Sequence, residues 1–184
     1  MKLTFFDLET QYLLQELGMN HYNRDPTKLK LAVAGILRNG ETSFFSENQL
    51  DELLKILNDA DLIVGHNLLE FDYLVLEPYL GSSILESLRD KTFDIMLELK
   101  KLTGCYISLD DLCRRNLGLS KCCNTLEIPK MWRDGKREEV RDYLLNDLKM
   151  TEAIFTHGKN RGVFKYEHKE YGKSLGEREI KVKW

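Results

Sequence analysis

Residues 2–10 read KLTFFDLET. Lys2 to Phe6 is a short run enriched in apolar and aromatic side chains, the pattern of a buried strand. Side chains alternate faces along a strand, so Asp7 and Glu9 leave on the same side, about 7 Å apart along the backbone. They stand where the strand is expected to meet its loop. Two carboxylates on one face of an apolar strand repel each other unless a cation or a buried polar network compensates. Two solvated acids at a strand end would read the same way, so the rest of the chain has to decide.

Outward from this strand, Gln11 to His21 is weakly helical, and Asn23 to Pro26 is turn-prone. Leu29 to Leu37 (LKLAVAGIL) predicts a second strand, and Arg38-Asn39-Gly40 turns it back into Thr42 to Phe45, because Asn-Gly is a strong two-residue hairpin signal. Leu50, Leu53, Leu54 and Leu57 fall at i, i+3, i+4, i+7 and predict an amphipathic helix from Asn48 to Ala60. Asp61 to Gly65 reads as a short buried strand, with a helix from about Leu69 to Tyr79. Thr92 to Met96 is strand-like, and Ser108 to Asp111 opens a helix through Arg115 with a capping-box pattern. The longest helical pattern runs from Glu138 to Gly158, with Val140, Leu144, Leu148 and Ala153 to Phe155 on its apolar side. The tail from Val163 lacks a helical period and is expected as an edge hairpin. A hairpin followed by strands alternating with helices predicts an α/β fold with a central mixed five-stranded sheet flanked by helices.

A chain of 184 residues fits one domain of roughly 100–200 residues, so a single domain over 1–184 is expected, with 159–184 as a basic C-terminal extension. At 42% hydrophobic residues the chain can bury a core without disulfides or metal, which excludes a disordered chain. No apolar run approaches the roughly 20 residues of a membrane span, and Asp7 and Glu9 interrupt any signal peptide. A soluble cytoplasmic protein with no membrane partner is expected. Cys105, Cys113, Cys122 and Cys123 show no CxxC spacing and no neighbouring histidine, so free thiols are expected. The net charge is −3, yet Lys159 to Trp184 carries eight basic and four acidic residues, leaving −7 for residues 1–158. Such a tail is most simply a solvated face.

Two further fragments carry carboxylates. Val64 to Asp72 (VGHNLLEFD) is a buried strand running out at Gly65, with Asp72 near the next helix start, where an acid is ordinary dipole chemistry. Tyr143 and Asp147 stand at i, i+4 on one helix face, so hydroxyl and carboxylate can serve one point in space, although a core tyrosine beside a surface acid has the same spacing. Together the fragments resemble the three motifs of the DEDD family of 3′→5′ exonucleases. The first, D-x-E, appears as Asp7-x-Glu9 within FDLET. The second, N-x-x-x-[FY]-D, appears as Asn67 to Asp72, and the third, Y-x-x-x-D, as Tyr143 to Asp147. The sister subclass places a histidine five residues before the last Asp; Asp142 stands there, so the chain resembles the tyrosine subclass (DEDDy). The resemblance runs from Leu3 to about Phe155 and includes Phe93-Asp94 and Ser108 to Asp110. It is most similar to stand-alone ribonuclease H-like domains related to the proofreading domain of family B DNA polymerases.

The resemblance implies a ribonuclease H-like fold and a metal-dependent exonuclease that releases nucleoside 5′-monophosphates from single-stranded DNA or RNA 3′ ends. It implies two divalent ions, Mg²⁺ or Mn²⁺, which suit carboxylate oxygens. By resemblance, Asp7 bridges both ions, Glu9 and Asp147 complete the first site, and Asp72 reaches the second ion. Tyr143 orients the attacking water, since a tyrosine of ordinary pKa near 10 is a poor base. Thr10 and Asn67 contact the terminal nucleotide. Two other readings stay open: a catalytically silent module that binds nucleic acid or protein, and a proofreading subunit active only with a polymerase or helicase in trans. Outside the motifs, His66 reads as a strand-end histidine, and His157 offsets a helix dipole. Trp132 either stacks a base or packs a loop. Arg114, Arg115, Lys121, Lys130, Arg133, Lys136, Arg137 and Arg141 form the candidate backbone-binding strip, diluted by Glu138 and Glu139.

Overall fold

In the computed structural model, which describes residues 1–20, 22–120, 124–170 and 173–184, Leu3–Thr10 forms a strand, β1, that continues through both acids. Its alternation divides the molecule: Phe5 joins one buried core, while Phe6 and Leu8 join the core on the opposite face. Leu31–Arg38 (β2) pairs antiparallel with β1, and Glu41–Phe45 (β3) pairs antiparallel with β2. Asn39 and Gly40 turn between β2 and β3 with φ of 54° and 80°, the mirror-image turn that matches strand twist. Leu62–Gly65 (β4) runs parallel to β1, and Thr92–Asp94 (β5) parallel to β4. The order is β3-β2-β1-β4-β5, so β1 is central. This is the mixed five-stranded sheet of the expected ribonuclease H-like α/β fold.

Helices cover both faces. On the side of Phe6, α1 (Leu50–Asp59), α2 (Tyr73–Leu80) and α3 (Ser82–Arg89) bury Leu53, Leu57, Leu76 and Leu88. On the side of Phe5, α4 (Ile95–Thr103), α5 (Leu109–Leu117), α6 (Ile128–Arg133) and the 25-residue α7 (Arg137–Arg161) contribute Leu99, Leu112, Ile128, Leu144 and Leu148. Ser108 caps α5 as expected, its hydroxyl accepting from the Asp111 amide at 3.2 Å.

Two expectations need correction. The weak helical signal at 11–21 yields only a single 3₁₀ turn, Gln15–Leu17, because the Gln11 and Tyr12 amides donate to the Lys30 and Leu29 carbonyls and extend the sheet pairing. The tail does form a hairpin, Val163–Glu170 (β6) with Lys173–Lys181 (β7), but as its own two-stranded sheet rather than an edge of the central one. Asn116 fixes it to α5 by accepting from the Lys165 amide and donating to the Lys165 carbonyl, at 2.8 and 2.9 Å. The Trp184 ring, stacked 6.0 Å from Phe155 and edge-on to Phe93, fastens its end to the core. Cys105 carries a free thiol, Cys113 is buried, and Cys122 and Cys123 lie outside the described residues, as do His21 and Lys121. Among the described residues no helix is long and apolar enough to cross a membrane.

Candidate active site

Asp7 and Glu9 project, half-buried, from the same face of β1 as Phe5. The register of β1 against β2 shifts between Glu9 and Thr10, an irregularity of the kind that re-aims side chains beside functional sites. Opposite Asp7 on β2 stands Gly35. A Cβ there would meet Leu144 Cδ2 and Leu148 Cδ1 at 2.9 Å, so the glycine lets α7 settle closely onto the sheet. That approach brings buried Asp147, next to Leu148, to the acids of β1. Carboxylate oxygens of Asp7, Glu9 and Asp147 lie within 4.8 Å of one another.

Asp72 arrives from the other side of the sheet. Beyond β4 the chain passes through Asn67, in the left-handed region at φ 72°, into a π-helical turn, Leu68–Asp72, that runs into α2. Buried Asp94, at the end of β5, holds this turn. Its Oδ1 accepts from the Asn67 amide at 2.9 Å and its Oδ2 from the Leu69 amide at 3.0 Å. The same carboxylate caps α4 by accepting from Met96 and Leu97 at 3.1 and 3.3 Å. Asp72 is thereby buried with its Oδ1 on the Leu8 amide, 3.1 Å away and between the two acids of β1. Burial raises its carboxyl well above the usual carboxylate range, and the neighbouring charges of Asp7, Asp94 and Glu9 push the same way.

These groups line one cavity of about 430 Å³, the size of a small-ligand site. Asp7, Glu9, Asp72 and Asp147 form its acidic floor, and Leu13, Phe71, Met96, Ile107 and Pro129 its apolar wall. Thr10 and Asn67 line it too; the Thr10 hydroxyl donates to the Tyr12 carbonyl at 2.9 Å. His66 faces the cavity while its Nε2 sits 2.9 Å from the Ile107 carbonyl oxygen, a structural tie that agrees with a strand-end role. Tyr143 is buried, with its hydroxyl 2.6 Å from that of Thr125, and Thr125 reaches the cavity lining. The four predicted acids, Thr10 and Asn67 therefore line one cavity, and Tyr143 reaches it through Thr125.

Sequence reasoning gave no role to Asp94, though the resemblance included it, and missed Thr125. Asp94 has a local signal, an acid at a strand end directly before a helix, but its bonds to Asn67 and Leu69 span more than 20 residues. Thr125 lies in a short 3₁₀ turn, Thr125–Glu127, with no pattern of its own. The basic strip is largely tied down: Arg114 and Arg115 pair with Asp111, Lys130 with Asp134, Arg133 with Glu16 and Arg141 with Glu138. His157 contacts the Val163 carbonyl at 3.1 Å in the last turns of α7.

The convergent trio Asp7, Glu9 and Asp147 could hold a metal ion, being hard oxygen donors whose mutual repulsion a divalent cation would relieve. No family profile matches the sequence, and no curated protein matches it. Among solved structures, the chain is similar to the family B DNA polymerase from the hyperthermophilic archaeon Pyrobaculum calidifontis, with a TM-score of 0.61 and 14% identity. The likeness is one of fold. It covers 86% of this chain and 24% of that polymerase, so the chain spans about a quarter of the polymerase's length.

Proposed function

We propose that this chain is a metal-dependent 3′→5′ exonuclease of the DEDDy type, hydrolysing phosphodiester bonds at the 3′ end of single-stranded nucleic acid. The observation that carries the reading is the convergence of Asp7, Glu9 and Asp147 from β1 and α7, with Asp72 in the same cavity. Mg²⁺ or Mn²⁺ bound to these carboxylates would supply a deprotonated water and offset the charge that builds on the phosphate. Asp7, central in the cluster, would share in holding two ions, with Glu9 and Asp147 on one side and Asp72 on the other. The Tyr143 hydroxyl, bonded to that of Thr125 on the cavity wall, would orient the attacking water. Thr10 and Asn67 would hold the terminal nucleotide, and the apolar wall from Leu13 to Phe71 and Met96 would cover its base and sugar. The fold likeness to a family B polymerase supports the reading.

Digestion of single-stranded DNA and RNA, labelled at either end, with Mg²⁺ or Mn²⁺ tests it. Stepwise shortening of 5′-labelled strands, with mononucleotides released from 3′-labelled ones, is expected. Intact strands in every condition would favour the silent binding module, and activity only after adding a polymerase or helicase would favour a subunit acting in trans.

A further inference from the structure

Next in the chain to two residues of the cavity wall stands a surface that the carboxylates do not use. Leu13 and Pro129 line the cavity; Tyr12 adjoins the first in sequence, and Trp132 lies one helical turn past the second on α6. The Arg133 guanidinium sits 4.9 Å from the Tyr12 ring centroid, donating to the Gln11 carbonyl and to Glu16 Oε1. Beside it, the Arg137 guanidinium lies over the Trp132 ring, 3.7 Å from its centroid, with Nη1 donating to the Trp132 carbonyl. Trp132 is half-buried against the core, whereas Arg137 is exposed.

Helix stability does not explain this arrangement. Arg137 and Lys136 stand at the N-terminal end of α7, where the helix dipole disfavours cations and favours anions. The neighbouring Lys130, Arg133 and Arg141 are engaged in ion pairs, but the Arg137 plane is held on an aromatic ring at the surface. A guanidinium stacked on tryptophan offers its outer face to any base and its charge to any phosphate. These are the two sequence-independent terms of single-strand binding.

We propose that the Trp132–Arg137 stack forms a platform for single-stranded nucleic acid, holding nucleotides on the 5′ side of the end seated in the cavity. The polarity rests on the exonuclease reading; the binding does not. The test is anisotropy of 5′-labelled oligothymidylate and oligouridylate, two and ten nucleotides long, titrated with protein in Ca²⁺. Arg137→Ala and Trp132→Ala are expected to weaken the ten-nucleotide strands about tenfold and leave the two-nucleotide ones unchanged. The salt slope should fall by about one for Arg137→Ala but stay unchanged for Arg137→Lys, which keeps the charge and loses the stack. Circular dichroism establishes that each variant is folded, and the exposed Arg137→Lys carries the test if Trp132→Ala is not. Wild-type affinity for ten-nucleotide strands in both Arg137 variants, or an equal loss for two-nucleotide ones, would overturn the platform. A loss confined to DNA or to RNA supports the platform and identifies the ligand. A protein that binds through these residues yet cleaves nothing in Mg²⁺ or Mn²⁺ keeps the platform and loses the exonuclease. One that cleaves while its variants bind normally does the reverse.

Discussion

Asp72 is a carboxyl of the cavity buried beside Asp7 and Asp94, with its pKa pushed well up. A carboxyl whose folded pKa exceeds its unfolded one binds its proton more tightly when folded. Its contribution to stability is therefore lost as pH rises from about 4 through the raised value. The metal-free protein is expected to melt at falling temperature as pH rises from about 4 toward neutrality, with Mg²⁺ or Mn²⁺ reversing the trend. Asp7→Asn removes the neighbouring charge that acts most strongly on Asp72, so its metal-free melting curve should depend less on pH. Calorimetry in chelator checks both, and a melting temperature that climbs over that range would contradict the assignment. Tyr143→Phe keeps the buried ring and deletes the hydroxyl bonded to Thr125. If the pair orients the attacking water, kcat should fall about 100-fold with KM little changed, the mark of an interaction made in the transition state. Steady-state kinetics on a short single strand decides it; an unchanged kcat with a raised KM would make Tyr143 a binding residue.

At the scale of elements, the site depends on the turn that Asp94 holds. Asp94→Asn replaces one accepting oxygen by a donor and leaves a buried amide of the Asn67–Leu69 turn or the α4 cap unpaired, a loss of about 1–3 kcal/mol. Thermal melting should show that loss, and activity should fall further than stability because the turn delivers Asp72. Wild-type turnover in this variant would mean that the π-helical turn does not position Asp72. This dependence marks where reading the sequence stops. The strand at Lys2–Phe6, the Asn39-Gly40 hairpin and the long helix at 138–158 were legible because periodicity and turn chemistry are local. Helix α6 was not, since six residues beginning Ile128-Pro129 are too short to show a period. The segment 11–21 misled because its first amides are taken by Lys30 and Leu29, pairings that its own residues do not announce.

At the scale of the whole molecule, the acids converge because β1 is central and α7 crosses it. Asp7 and Asp147 are far apart in sequence, and Gly35, which permits the close packing, carries no chemistry of its own. Periodicity placed each acid on its element, whereas their meeting was legible only through the resemblance of three spaced motifs. The central claim is that this convergence forms a working metal centre. Its most direct test is to strip the protein with chelator, restore Mg²⁺, Mn²⁺ or Ca²⁺ singly, and follow both binding and degradation of a single-stranded 3′ end, with Asp7→Asn as control. Mg²⁺ and Mn²⁺ adopt tight octahedral coordination at about 2.0–2.2 Å, whereas Ca²⁺ coordinates loosely at about 2.3–2.6 Å. Mn²⁺ should therefore support cleavage at least as well as Mg²⁺, Ca²⁺ should support binding with little or no cleavage, and Asp7→Asn should be inactive with all three. Robust cleavage without any divalent ion, or wild-type rates in a folded Asp7→Asn protein, would contradict the account.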